Sequence, residues 1–116
     1  MASAGVVLSA LAVASAAWAA GATTTVTLVG PDHVYGTIKS PSKSCLGSRK
    51  VIVFMQKGPS QNPSVDQKMD TTTSSRQGNE GVWDMGNPGF PPHKRYYAEA
   101  RGKPGCKAGF SKTVTF

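Results

Sequence analysis

Cysteine offers the widest chemistry in this chain, and there are two of them. Cys45 lies in "KSCLGSRKVIVFMQKG" (Lys43 to Gly58) and Cys106 in "GCKAGFSKTVTF" (Gly105 to Phe116). A nucleophilic thiolate needs a base beside it, and a metal site needs about four ligands. No C-x-x-C spacing is present, and His33 and His93 form no H-x-x-x-H arrangement. Asp32, Asp84 and the many serines supply the atoms of a triad, yet no G-x-S-x-G elbow orders them. His33, next to Asp32, reads as a turn residue. These residues point to no catalytic group, no metal and no cofactor. What remains for the two cysteines is a covalent staple, which depends on compartment.

The N-terminus addresses compartment. Ala2 to Ala19, "ASAGVVLSALAVASAAWA", is uncharged and rich in small residues. It ends in the A-x-A pattern Ala17-Trp18-Ala19, with Ala20-Gly21-Ala22 as a second cleavage site. This is the apolar region and cleavage site of a secretory signal, although no Lys or Arg precedes it. A retained membrane anchor is the rival reading. Most of the run is Ala, Ser and Gly, and it is at the short end for a bilayer core of about 30 Å. The expectation is a signal peptide over 1–22, cleaved after Ala19 or Ala22, and a secreted domain over 23–116 with no transmembrane anchor after cleavage. In a secreted chain an even pair of cysteines is oxidised, so Cys45 and Cys106 are expected to pair.

The elements that must position these residues are strands. Beyond the signal, no stretch repeats apolar residues at i, i+3, i+4 and i+7, so helix is disfavoured. Short β-like runs recur instead: "TTVTLV" (24–29), "HVYGTIKS" (33–40), "KVIVFMQ" (50–56), "VDQKMDTTT" (65–73), "GVWDM" (81–85), "KRYYAEAR" (94–101) and "FSKTVTF" (110–116). Gly, Pro, Ser and Asn punctuate them, and the prolines fall between runs, as sheet hydrogen bonding requires. The run 50–56 is almost continuously apolar, like a central strand covered on both faces. The expected fold is all-β: a single antiparallel β-sandwich of about seven strands, of prealbumin or immunoglobulin type, with one disulfide.

The order of these segments resembles small secreted bacterial β-sandwich proteins related to the carboxypeptidase regulatory-like, or prealbumin-like (transthyretin-like), domain. The resemblance covers roughly residues 26–116. It rests on Gly36-Thr37-Ile38 in an opening strand, on the Thr/Asp-rich strand leading to Gly81-Val82-Trp83, and on Tyr96-Tyr97-Ala98. The segment between Thr73 and Gly81 is longer than that pattern has. The expectation is a secreted non-catalytic module with a structural or accessory binding role in the extracellular or cell-wall space. One hydrolase of purine degradation shares the fold, but its histidine/arginine site and Tyr-Arg-Gly-Ser ending have no counterpart in a chain ending Thr-Val-Thr-Phe.

Two kinds of binding follow from the residues. The formal charge is +7, carried wholly beyond the signal. A Cys45–Cys106 bridge would draw Lys43, Arg49 and Lys50 toward Lys103, Lys107 and Lys112, a cation cluster suited to anionic wall polymers or acidic polysaccharides. The competing reading is that these are ordinary solubility charges at strand ends. No RNA-binding or helix-turn-helix pattern singles out nucleic acid. Phe90, in the proline-stiffened loop "MGNPGFPPHKR" (Met85 to Arg95), is either a recognition contact or a plug for the open end of the sandwich. Tyr96 and Tyr97 alternate, so one is expected in the core and Tyr97 is the candidate contact. Trp83 is expected to cap the core, its indole N–H bonded to a carbonyl.

Overall fold

The computed structural model describes residues 21–116. All but the last two residues of the expected signal peptide, 1–22, therefore lie outside the described residues. The described residues form nine short strands: β1 (Thr25–Val26), β2 (Val34–Lys39), β3 (Lys50–Met55), β4 (Gln67–Thr73), β5 (Ser75–Gln77), β6 (Glu80–Gly86), β7 (Arg95–Ala100), β8 (Gly109–Phe110) and β9 (Val114–Thr115). A 3₁₀ turn, Lys43–Cys45, carries the first cysteine. The all-β expectation holds, with two antiparallel sheets. One has the order β1-β2-β6-β5; the other runs β4-β3-β7-β8, with β9 also paired to β7.

The count exceeds seven for two reasons. The last expected run divides into β8 and β9, because Ser111 turns inward and its hydroxyl accepts the Ala98 N–H at 2.8 Å. The segment between Thr73 and Gly81, which carries no apolar alternation, forms the exposed edge strand β5, paired to β6 through Ser75–Val82 and Gln77–Glu80. Between β4 and β5 the chain changes sheets at Ser74. That residue is buried, its N–H donates to Arg49 O at 2.8 Å, and its hydroxyl donates to Leu46 O at 2.7 Å.

The core lies between the sheets. Val26, Val34, Ile38 and Trp83 from the four-stranded sheet meet Val51, Val53, Tyr96, Ala98 and Ala100 from the other. Close approach at the inner face requires glycine at two places. A side chain at Gly36 would overlap the indole of Trp83 and the carbonyl of Thr27, and one at Gly81 would overlap the carbonyl of Leu46. Trp83 caps the core as expected, only 2% exposed. Its Nε1, however, has no hydrogen-bond partner among the described residues, contrary to the expected carbonyl bond.

The five-stranded sheet is covered on its outer face as well. There Ile52, Phe54 and Tyr97 form a second apolar cluster beneath the loop from Gln56 to Asp66. That loop is fastened at Asp66, whose carboxylate accepts the Tyr97 hydroxyl, the Asn62 N–H at 2.8 Å and the Lys57 N–H at 3.0 Å. Gln61 Nε2 adds bonds to Ser111 O and Thr113 Oγ1, both 2.9 Å. The continuous apolar run of β3 is thereby explained.

Candidate functional site

Cys45 and Cys106 are bonded, with Cα atoms 5.6 Å apart. Both are buried, and the bridge ties the 3₁₀ turn to the segment after β7. Around it the chain converges from both directions. Ala22 N donates to Gly105 O and Lys107 N donates to Ala22 O, each at 2.9 Å.

Arg49 does not join a surface cluster. It is 1% exposed, and its guanidinium donates to the carbonyls of Cys45 (2.8 Å), Lys107 (2.8 Å) and Arg101 (3.0 Å) and to Thr24 Oγ1 (3.1 Å). Burial lowers its pKa from the usual arginine value, yet an arginine stays charged in protein surroundings. The planar fork of five donors suits a ring of carbonyls in a way that lysine could not. The expectation that Arg49 contacts a ligand is corrected: the side chain is a cross-link beneath the basic end.

Lys112 is also displaced from the cluster. The adjacent Ser111 N–H bonds Ala98 O, midway along β7, and Lys112 borders an apolar groove with Val26, Leu28 and Phe110. What the fold does assemble at the disulfide end is a cleft of about 310 Å³ bordered by Ser48, Lys50, Arg101, Gly102 and Lys103, with the Arg49 segment beneath. No carboxylate lines it. Lys43 and Lys107 are exposed on the two segments joined by the disulfide. Lys103 is braced, its Nζ donating to Gly47 O at 3.3 Å. Arg101 is brought in because its N–H closes onto Lys50 O at 2.8 Å, extending the pairing of β7 with β3. Sequence reasoning missed Arg101, because that the residue after β7 lies beside the start of β3 follows only from the pairing of the two strands. Its nearest acid is Glu99, whose carboxylate stands 3.9 Å from Arg101 Nε.

The loop candidates resolve into packing. Phe90 is half-buried and stacks on Tyr96, centroids 5.4 Å apart, while Phe116 stacks on the same tyrosine at 4.8 Å. The plug reading of Phe90 is the one the fold adopts. Tyr97 is not a contact residue. Like Tyr96 it is wholly buried, because the outer face of its sheet is covered; it stacks with Phe54 and bonds Asp66. Burial, followed by the Asp66 carboxylate, raises the Tyr97 phenol well above its usual value, so it serves as a neutral donor.

The histidines make separate contacts. His33 Nε2 donates to Asp84 Oδ2 at 2.7 Å on the outside of the four-stranded sheet, and His93 sits in left-handed backbone with its N–H on Phe116 O. Among the described residues no three of His, Cys, Asp and Glu gather in a way that would hold a metal ion. Compared with known proteins, the chain matches no family model and no curated protein.

Proposed function

We propose that the protein is a secreted, non-catalytic binding module, a disulfide-stapled sandwich of the prealbumin-like kind, that holds anionic polymer at its disulfide end. The observation that carries this reading is the cleft between Lys50, Arg101 and Lys103, which has three cations and no carboxylate on its border. Cations held by a rigid frame lose little freedom on binding, and a cluster of one sign draws a polyanion more strongly than the same charges dispersed. Support for an oxidising compartment comes from the buried bridge. Of the two cleavage positions, the one after Ala19 is favoured. Ala22 contributes a donor and an acceptor to the Gly105–Lys107 segment, and a chain starting at Thr23 would forfeit both.

The test is retention on immobilised heparin across a salt series. Binding by clustered phosphate- or sulfate-like contacts falls linearly in log affinity with log salt, because counterions are released. Lys50→Glu with Lys103→Glu should abolish retention at physiological salt. Lys68→Glu with Lys112→Glu, which changes net charge equally, should leave most of it. Equal losses from the two pairs would mean that net charge alone acts, and the proposal would fail.

A further inference from the structure

The outer face of the four-stranded sheet differs in chemistry from the rest of the surface. Between β2, β5, β6 and the end of β4 lies a depression of about 460 Å³, within the range that takes a small organic ligand. Not one of the chain's 13 Lys and Arg residues lines it. It is bordered by Tyr35, Thr37, Thr72, Thr73, Ser75, Gln77 and Asp84, with the backbone of β2 and β6 as its floor.

We infer that this face is a second binding site, for a neutral glycan chain. A sugar ring presents an apolar C–H face and a rim of hydroxyls that both donate and accept, so its site needs an exposed aromatic plane beside several short polar groups. Tyr35 is 39% exposed, although a tyrosine on a covered face would bury most of its ring. Its plane is fixed from one side by the His33 ring, centroids 4.7 Å apart, and His33 is in turn held by Asp84 at 2.7 Å. The Gly86 N–H binds Asp84 Oδ1 at 2.6 Å, so both oxygens are oriented; a carboxylate with about four acceptor positions still has room for ligand hydroxyls. Thr37 is likewise pre-set, sharing a 2.8 Å hydrogen bond with Thr27.

Other ligand classes fit less well. An anion would meet Asp84 and no cation. A purely apolar ligand would strip water from Asp84, Thr37, Ser75 and Gln77 without replacing their hydrogen bonds, at a cost of about 1–3 kcal/mol for each group left unsatisfied. A neutral polyhydroxylated ligand satisfies both the ring and the polar rim.

The site is separate from the basic cleft, so the two readings stand or fall independently. The test is an amide-resolved NMR titration with cellohexaose, chitohexaose and maltoheptaose as separate probes. At least one probe should shift amides of Tyr35–Thr37, Thr72–Gln77 and Val82–Asp84, with an affinity insensitive to salt. Tyr35→Ala should weaken it at least about tenfold, and Asp84→Asn should weaken it in the same direction. Both residues are exposed, so the amide spectrum elsewhere should be retained, which separates lost binding from lost fold. Lys50→Glu with Lys103→Glu should leave the glycan affinity unchanged. Absence of shifts on this face with all three probes, or affinity unaltered in Tyr35→Ala, would overturn the inference, as would shifts centred on Ser48–Lys50.

Discussion

Asp66 shows how one side chain can hold a loop and set its pH dependence. Burial opposes its charge, but hydrogen bonds from Tyr97, Lys57 and Asn62, with the nearby Lys57 ammonium, outweigh that and keep the carboxyl below its usual value. A carboxyl lowered in the folded state contributes stability above its unfolded value, about 3.9 for aspartate, and loses it as pH falls through the lower folded value. Glu99 acts in the opposite direction, because burial raises its pKa and its contribution is lost as pH rises. Asp66→Asn should therefore be less stable than the native chain at neutral pH, and the two should converge on acidification from about pH 4 downward. Urea unfolding at a series of pH values measures this. Parallel stability curves would show that the Asp66 bonds do not depend on its charge.

Strand-scale behaviour turns on the place where the chain leaves one sheet for the other. Ser74 accepts the Arg49 N–H at 3.1 Å and donates to Leu46 O, both within the core. Ser74→Ala removes the hydroxyl and strands a buried donor and a buried acceptor, which should cost about 1–3 kcal/mol. Ser75→Ala, one residue on and exposed, should stay within about 0.5 kcal/mol of the native chain. Chemical denaturation of the two variants separates them, and equal stabilities would deny Ser74 its corner role. The sequence was legible where burial leaves a pattern. The continuous run of Lys50–Met55 marked a doubly covered strand. Strand β5 was hidden because a polar edge strand is held by backbone pairing to β6, which leaves no periodicity. Arg49 was misassigned for a related reason. A basic residue beside Lys50 looks like surface, and only the converging carbonyls of Cys45, Arg101 and Lys107 make a buried guanidinium affordable. Tyr97 was misplaced because the loop that covers it is made mostly of Gly, Pro, Ser, Gln and Asn, residues that do not advertise a lid.

At the scale of the molecule, the bridge between Cys45 and Cys106 closes a loop over most of the strands. On the chain-entropy model its reduction should cost about 4 kcal/mol, a large part of the roughly 5–15 kcal/mol available to a domain. On the proposed export with cleavage after Ala19, protein analysed without reductant should have a mass two hydrogens below that of the dithiol chain and should begin at Ala20. Reduction should lower its unfolding midpoint and speed hydrogen exchange at Ala22 and Lys107 first. Two thiols open to alkylation in the native protein would remove the staple and the compartment argument with it. The guanidinium of Arg49 has a consequence for biosynthesis. Its acceptors come from Thr24, Cys45, Arg101 and Lys107, so the node has one partner near the start of the domain and two near its end. Strand β3 waits for β7 in the same way. A chain still being synthesised, at about 5–20 residues per second, holds the early halves of these contacts without the late ones. Until Lys107 has emerged these contacts cannot close, and a chain lacking them is nearer the unfolded form that a translocation pore admits.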